Sequence, residues 1–461
     1  MKKIAFFCIP AHGHTNPMLP VASELVRRGD QVRFYSFDMF RKKIEATGAQ
    51  FISCDAYLPE LTSREAAQLK KVSTTEMSIQ DLRITLNMDA FLDEEFRAFQ
   101  PDVVYTDSVC FWGKLNAWKH EVPMVVSTST FAFNQLSSQY MKHSPAEMAD
   151  LILGLPRMNR ELKKLRPYGY RVKGILSLVQ SDNQTDSVVY TTRRFQPYGE
   201  SFSQHYAFVG PSVFSTLQPD KNKDRPLIYI SLGTVINERP DFYHKCMEAL
   251  KKLRADVIIS CGQAMRVEQL GALPENVSVY STVDQLEVLS RASAFITHCG
   301  MNSVSESLYM ATPMVLYPQT GEQQAVARRA QEIGTGTWLR DDSVEGIRRA
   351  VEEILNQASY AKAAEECSRE FRSHAGAKAA ADFIEGAPHK VEENDLIAHL
   401  NRLSTVGQII VRLFVVALSI LAGFGLGAKY GWMVGIAGGF LCEPVNKWIQ
   451  SRVYAKLTKQ K

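Results

Sequence analysis

Between Phe295 and Gln323 the chain reads F-I-T-H-C-G-M-N-S-V-S-E-S-L-Y-M-A-T-P-M-V-L-Y-P-Q-T-G-E-Q, a stretch that can hold a phosphorylated polyol. The apolar run Ala294 to Ile296 is short enough for a buried parallel strand. His298-Cys299-Gly300 breaks it, Asn302 or Ser303 can serve as N-cap, and the pattern predicts a helix to about Met310. A strand, a turn with one glycine and a helix start together make an anion site, because free backbone N–H groups meet the positive end of a helix dipole. His298, Asn302 and Ser303 add side-chain donors there, and Glu306, one turn on, is placed to accept hydrogen bonds from a ribose. A second strand, Met314 to Tyr317, ends at Pro318 and brings Glu322 and Gln323 to the same sheet edge. That is the layout of a nucleotide-sugar site.

A second set of reactive groups lies near the start. Pro10-Ala-His-Gly-His-Thr-Asn-Pro17 forms the loop between a first strand and a first helix, and ligands of open parallel sheets sit at such strand ends. A base at such an edge can take the proton of a substrate hydroxyl, and histidine is the commonest one. His12 and His14 are both candidates. Asp107 follows the strand Val103–Thr106 at the same edge, where it can orient an imidazole or cap the helix Phe111–His120.

The pattern H-x-G-x-N-S-x-x-E, a proline, then P-Q-x-x-E-Q resembles the donor signature of the family-1 glycosyltransferases, nucleotide-sugar enzymes of GT-B fold, in their bacterial macrolide-type branch. The resemblance implies two Rossmann-like doubly wound α/β domains facing a cleft. It assigns the base to His14, since Gly13-His14-Thr15-Asn16-Pro17 matches the family's G-H-x-x-P, and gives Asp107 the task of holding the imidazole. Ser231-Leu232-Gly233-Thr234 resembles the family's phosphate-contacting turn, with Ser231 and Thr234 as donors and Gly233 allowing close approach. Gln285 matches the glutamine of a W-x-P-Q element, which here reads Thr282-Val283-Asp284-Gln285. The missing aromatic leaves the choice between UDP and dTDP open. Gly300, Asn302, Ser303, Glu306, Glu322 and Gln323 complete the expected donor site with His298. No Asp-x-Asp adjoins it, and Asp341-Asp342 fall in another loop, so no metal is expected. The helix dipole and His298 are expected to neutralise the diphosphate instead. The nucleotide sugar is a co-substrate, and no cofactor is expected.

A length of 461 residues, 45% hydrophobic and 22% charged, predicts two or three globular domains. The eight scattered cysteines read as buried thiols of an intracellular protein. The six apolar residues before Pro10 are too few for a signal peptide and read as a first buried strand. The net charge of +4 conceals a division. From Pro388 onward nine Lys or Arg face four Asp or Glu, so the remaining 387 residues carry 44 basic and 45 acidic groups. A neutral body argues against a nucleic-acid partner.

Alternating strand and helix patterns predict an acceptor-binding domain over 1–212, a linker over 213–226 and a nucleotide-sugar domain over 227–387. Predicted strands include Lys3–Ile9, Gln31–Ser36, Val103–Thr106, Met124–Ser127, Ser187–Thr191 and Leu227–Ser231. Helices are predicted at Pro17–Arg28, Val344–Asn356 and Ala358–Ile384, the last crossing back to the first domain by resemblance. Phe131, Phe133, Tyr140 and Met141, with the 56–100 region, are expected to line a pocket for an apolar acceptor.

The tail, 396–461, departs from soluble relatives. Ile409 to Ala428 contains Arg412 as its one charge, and a bilayer core needs roughly 20 helical residues. The uncharged run Tyr430 to Cys442, with small residues such as Gly435 and Gly439, suits the return arm of a membrane-associated helical hairpin. Trp448 and the basic residues after it suit an interfacial helix on an anionic leaflet, with the catalytic domains at the cytoplasmic face of the cell membrane.

The sequence therefore predicts an inverting, metal-independent hexosyltransferase acting from a UDP-sugar on a small hydrophobic acceptor. The alternatives are an acceptor-independent sugar-nucleotide isomerase or hydrolase, and a membrane-tethered scaffold that has lost activity. A dehydrogenase is disfavoured because no G-x-G-x-x-G follows the first strand.

Overall fold

The computed structural model describes residues 1–391 except 63–64, 66–72, 135, 142–143, 173, 176–177, 179–183, 214, 222–223 and 264. Beyond 391 it describes Leu413, Ala417, Trp448, Ser451, Arg452, Tyr454 and Ala455.

Two parallel sheets organise the chain. The first holds β1 (Lys3–Phe7), β2 (Gln31–Ser36), β3 (Gln50–Ser53), β4 (Val103–Asp107), β5 (Met124–Thr128), β6 (Ser187–Val189) and β7 (Tyr206–Phe208), in the order β3-β2-β1-β4-β5-β6-β7. The second holds β8 (Leu227–Ser231), β9 (Asp256–Ser260), β10 (Val277–Tyr280), β11 (Ala292–Thr297), β12 (Met314–Leu316) and β13 (Gly336–Trp338), in the order β10-β9-β8-β11-β12-β13. Alternation along β1 shows why its sequence is apolar throughout. Ile4 and Phe6 enter one buried cluster, while Ala5 and Phe7 enter another on the opposite face. β8 repeats this, with Ile228 and Ile230 on one side and Tyr229 on the other. The strand order reverses between β1 and β4 in the first sheet and between β8 and β11 in the second, which makes those strand ends the binding crevices.

The short strands β3, β7, β9, β10 and β13 join the predicted ones. The first helix starts at His12, five residues before the predicted Pro17, so the histidine loop is the first turn of that helix. The predicted helix Ala358–Ile384 is two helices, Ala358–Ser373 and Ala377–Gly386, parted where Gly376 adopts φ +53°. That break turns the chain back, and Ala380, Ala381 and Ile384 pack into the first sheet's core beside Ile4 and Leu25. Arg28 fastens the return by bonding Asp382 at 2.6 Å and Glu385 at 2.5 Å.

All seven described cysteines are buried free thiols. The predicted membrane runs Ile409–Ala428 and Tyr430–Cys442 lie outside the described residues, save Leu413 and Ala417. Among the described residues no helix is long and apolar enough to cross a membrane.

Candidate active site

The loop after β1 and the end of β4 bring the first reactive pair together. His14 Nδ1 lies 2.8 Å from Asp107 Oδ2. Asp107 is fully buried, and its other oxygen accepts from the backbone N–H of Val109 at 3.0 Å. Asp107 is not the helix cap: Cys110 holds that position for the helix Phe111–Lys119, without a side-chain bond. Ser129 Oγ also reaches His14 Nδ1, at 3.1 Å. Both partners meet the same nitrogen, which leaves Nε2 as the ring atom available to an acceptor. Burial works against a charged His14, but the Asp107 charge and hydrogen bond outweigh it and raise the pKa to about 9. Glu322 and Asp81 push the same way through space. His12 stands apart, packed edge-on against Phe40 at 4.9 Å, and burial and Lys43 lower its pKa.

The second crevice holds the donor signature. His298, just past β11, fills the space between two glycines. A Cβ on Gly233 would lie 2.5 Å from its ring, and one on Gly300 would lie 2.6 Å from Nε2. Both glycines are therefore steric requirements of one imidazole, and Gly233 also needs its left-handed φ of +77°. Cys299 between them holds φ +66°, a strained value for a residue with a side chain. Burial drives the His298 pKa down to about 4, against an opposing pull from the backbone of Ser231. The ring is thus neutral at pH 7 and can serve a diphosphate as a hydrogen-bond donor.

The helix after it spans Met301–Tyr309 with Gly300 at the N-cap and no side-chain cap. Asn302 and Ser303, expected as caps, sit in its first turn instead. Asn302 Nδ2 donates to Gly13 O at 3.0 Å, joining this helix to the His14 loop. Ser303 Oγ accepts from Gln285 Nε2 at 3.4 Å. Gln285 also donates to Glu306 and accepts from Tyr229 OH at 3.1 Å, so the predicted base-side glutamine and ribose acid form one network. Burial raises the Glu306 pKa to about 7, although the Gln285 bond lowers it.

Gly233 N donates to Ser231 Oγ at 3.3 Å, and Thr234 is exposed on the same turn. Glu322 is exposed in the first turn of the helix Gly321–Glu332 and acts on His14 across the cleft. Gln323 is engaged differently from the expectation. Its Oε1 accepts from Gln319 N at 2.7 Å and Thr320 N at 3.2 Å, closing a capping box. The T-x-x-Q spacing of Thr320 and Gln323 carries that signal in the sequence. Ser129 had a signal too, since it follows β5, the neighbour of β4, at the same sheet edge.

Of the expected acceptor lining, Phe131 and the Tyr140 hydroxyl are engaged elsewhere. Phe131 is buried against Phe195 in a core shared with Tyr229 and Phe295 of the second sheet. Tyr140 OH donates to Glu332 at 2.5 Å. These residues hold the two halves together. Asp341 and Asp342 are taken up by Arg349 and Lys245.

Residues 218–374 match the family described as UDP-glucoronosyl and UDP-glucosyl transferase. The NDP-glycosyltransferase YjiC of Bacillus licheniformis is 33% identical over 395 residues, covering 83% of this chain and 97% of that protein. The demethyllactenocin mycarosyltransferase of Streptomyces fradiae is 29% identical over 402 residues, covering 84% and 86%. Among solved structures, the kitacinnamycin glycotransferase superposes with a TM-score of 0.70 at 25% identity, covering 83% of this chain and 98% of its own. The calicheamicin glycosyltransferase CalG4 superposes with 0.67 at 26% identity, covering 84% and 100%. Two parallel sheets, each reversing its strand order at a crevice, are the GT-B arrangement, and the chain belongs to the UDP-glycosyltransferase family.

Proposed function

We propose that this glycosyltransferase moves a hexose from a UDP-sugar, with inversion and without a metal ion, to a hydroxyl of a small apolar acceptor. The observation that carries the reading is the His14–Asp107 pair at 2.8 Å, linked through Asn302 to the open end of the donor helix. The acceptor oxygen gives its proton to His14 Nε2 and attacks the anomeric carbon. The bond from that carbon to the diphosphate oxygen breaks, and its electrons leave with the nucleotide. Asp107 stabilises the imidazolium until the proton passes to water. The leaving diphosphate meets the first-turn N–H groups of Met301–Tyr309 and neutral His298. Independence from metal is supported by this donor set and by the ion pairs that occupy Asp341 and Asp342.

The test is incubation of membranes carrying the full chain with labelled UDP-glucose or dTDP-glucose, with and without EDTA, and mass spectrometry of the products. A glycosylated lipid-soluble product that survives EDTA is expected. Donor consumption that ignores added acceptor would replace transfer by hydrolysis or isomerisation.

The proposal extends to a membrane-associated tail over 409–461 that keeps the catalytic halves at the cytoplasmic face. It is supported by the apolar run Ile409–Ala428 and by two exposed apolar side chains, Leu413 at 64% and Trp448 at 60%. Arg452 lies over the Trp448 ring at 5.4 Å, a pairing suited to an interface. Fractionation of the full chain with membranes until detergent is added is the expected result, and a soluble full chain would remove this part.

A further inference from the structure

The loop after β8 carries the expected diphosphate contacts, and the loop after β12 carries Glu322 and Gln323. In the sheet β11 separates β8 from β12, so the two loops start two strand spacings apart, roughly 10 Å. Arg239 spans that gap. Its Nη1 donates to Gln319 Oε1 at 3.2 Å and its Nη2 to Tyr317 OH at 3.1 Å. Both direct acceptors are neutral, and the charge of the fork acts on Asp342 beyond Tyr317.

Gln319 is the hub. Besides accepting from Arg239, it donates through Nε2 to Ile236 O at 2.9 Å, back on the first loop. Its own backbone N–H donates to Gln323 Oε1, the bond that caps the second loop's helix. On the other side Arg239 N bonds Asn237 O at 2.8 Å, and Asn237 Nδ2 bonds Gly233 O at 2.8 Å. An unbroken path of hydrogen bonds therefore runs from Gly233 to Gln323. It is grounded by Tyr317, which donates to Asp342 at 2.9 Å and stacks on Phe242 at 4.2 Å.

We infer that Arg239 and Gln319 are positioning residues, a clamp that sets the distance between the diphosphate loop and the acid–amide turn. With Gln323 held in the helix cap, the exposed Glu322 is the group of that turn left to meet the hexose, and the clamp thereby determines how much the hexose, as distinct from the nucleotide, contributes to donor binding. The inference rests on the proposed donor site. Neither side chain needs to touch the donor. A shift of about 1 Å between two loops that grip different parts of one ligand is enough to cost 10²-fold in productive placement.

Calorimetric titration of the full-length protein with UDP and with UDP-glucose tests it, using the thymidine pair in parallel. Gln319→Ala and Arg239→Met should hold the nucleotide diphosphate within about threefold of wild type. The sugar nucleotide should lose about tenfold or more, with kcat falling alongside. Arg239→Lys keeps the charge but not the fork and should show the same split, which covers the case in which Arg239→Met fails to fold. Equal losses for both ligands, or no loss for either, would overturn the clamp while leaving the donor site standing. Failure of the wild type to bind any of the four ligands would instead sink the donor reading and the clamp with it.

Discussion

Asn302 reaches across the cleft to the carbonyl of Gly13, and Pro17 explains why that carbonyl is open to it. In the helix His12–Arg27 the N–H of residue 17 would bond to the carbonyl of residue 13, and proline has no N–H to give. The helix that carries His14 in its first turn thus offers one backbone acceptor to the other half of the enzyme. His14 sits next to that acceptor, and Asn302 sits in the first turn of the donor helix.

Asn302→Ala should cost little stability, about 0.5–1.5 kcal/mol for a hydrogen bond of this kind. It should nonetheless lower kcat/KM and speed hydrogen exchange at the amides of His14 and Thr15. Unchanged exchange there would show that the bond does not hold the base loop.

Replacing the base separates transfer from binding. His14→Ala should slow transfer by about 10²–10⁴-fold while the donor dissociation constant stays near wild type. Transfer within threefold of wild type would take the proton from His14 and give it to another group.

The pH profile follows from the Asp107 pairing. Only neutral imidazole accepts a proton, and the His14 pKa is raised to about 9, so kcat/KM should climb with pH until about 9. Asp107→Asn should move that break to lower pH and reduce the plateau. The pair's contribution to stability is fully present below pH 6.5 and disappears as pH rises through 9, because the folded-state pKa lies above the unfolded one. Denaturant titrations should therefore find Asp107→Asn more destabilising at pH 6 than at pH 10; the reverse order would refute the pairing.

Glu306 gives the donor side its own pH signature. With a pKa near 7, its carboxylate fraction rises between pH 6 and 8, and donor affinity should tighten over that interval. Glu306→Ala should weaken donor binding by about 1–3 kcal/mol by leaving ribose hydroxyls unpaired. Glu306→Gln should flatten the pH dependence. A wild-type donor affinity that is level from pH 6 to 8 would place the ribose elsewhere.

Three glycines should respond unequally to alanine. Gly233→Ala and Gly300→Ala drive a methyl into the His298 ring, at a cost of about 1–3 kcal/mol and with loss of donor binding. Gly13→Ala meets nothing within 4 Å and should leave thermal stability and donor affinity close to wild type. Similar melting shifts in all three would mean that His298 does not fill the space between Gly233 and Gly300.

Local pattern was sufficient for much of this enzyme. Apolar runs such as Ile228–Ile230 and Phe295–Ile296 are buried on both faces, so their composition alone marks central parallel strands. The glycine turns and the His14 loop were visible because sheet edges collect loops at known places along the chain. Short strands such as Tyr206–Phe208 and Gly336–Trp338 carry three residues each, too few for a period to show, and form because a neighbour offers a ladder. Helix starts at His12 and Met301 also escaped the pattern, since no side chain caps either one. Only the tertiary structure decided which partner each polar group meets. It placed Ser129 on His14, gave Asn302 to Gly13 and turned Phe131 from a pocket wall into interdomain core. Those outcomes depend on contacts between residues as far as 289 positions apart, and no local spacing encodes the distance at which two folded halves meet.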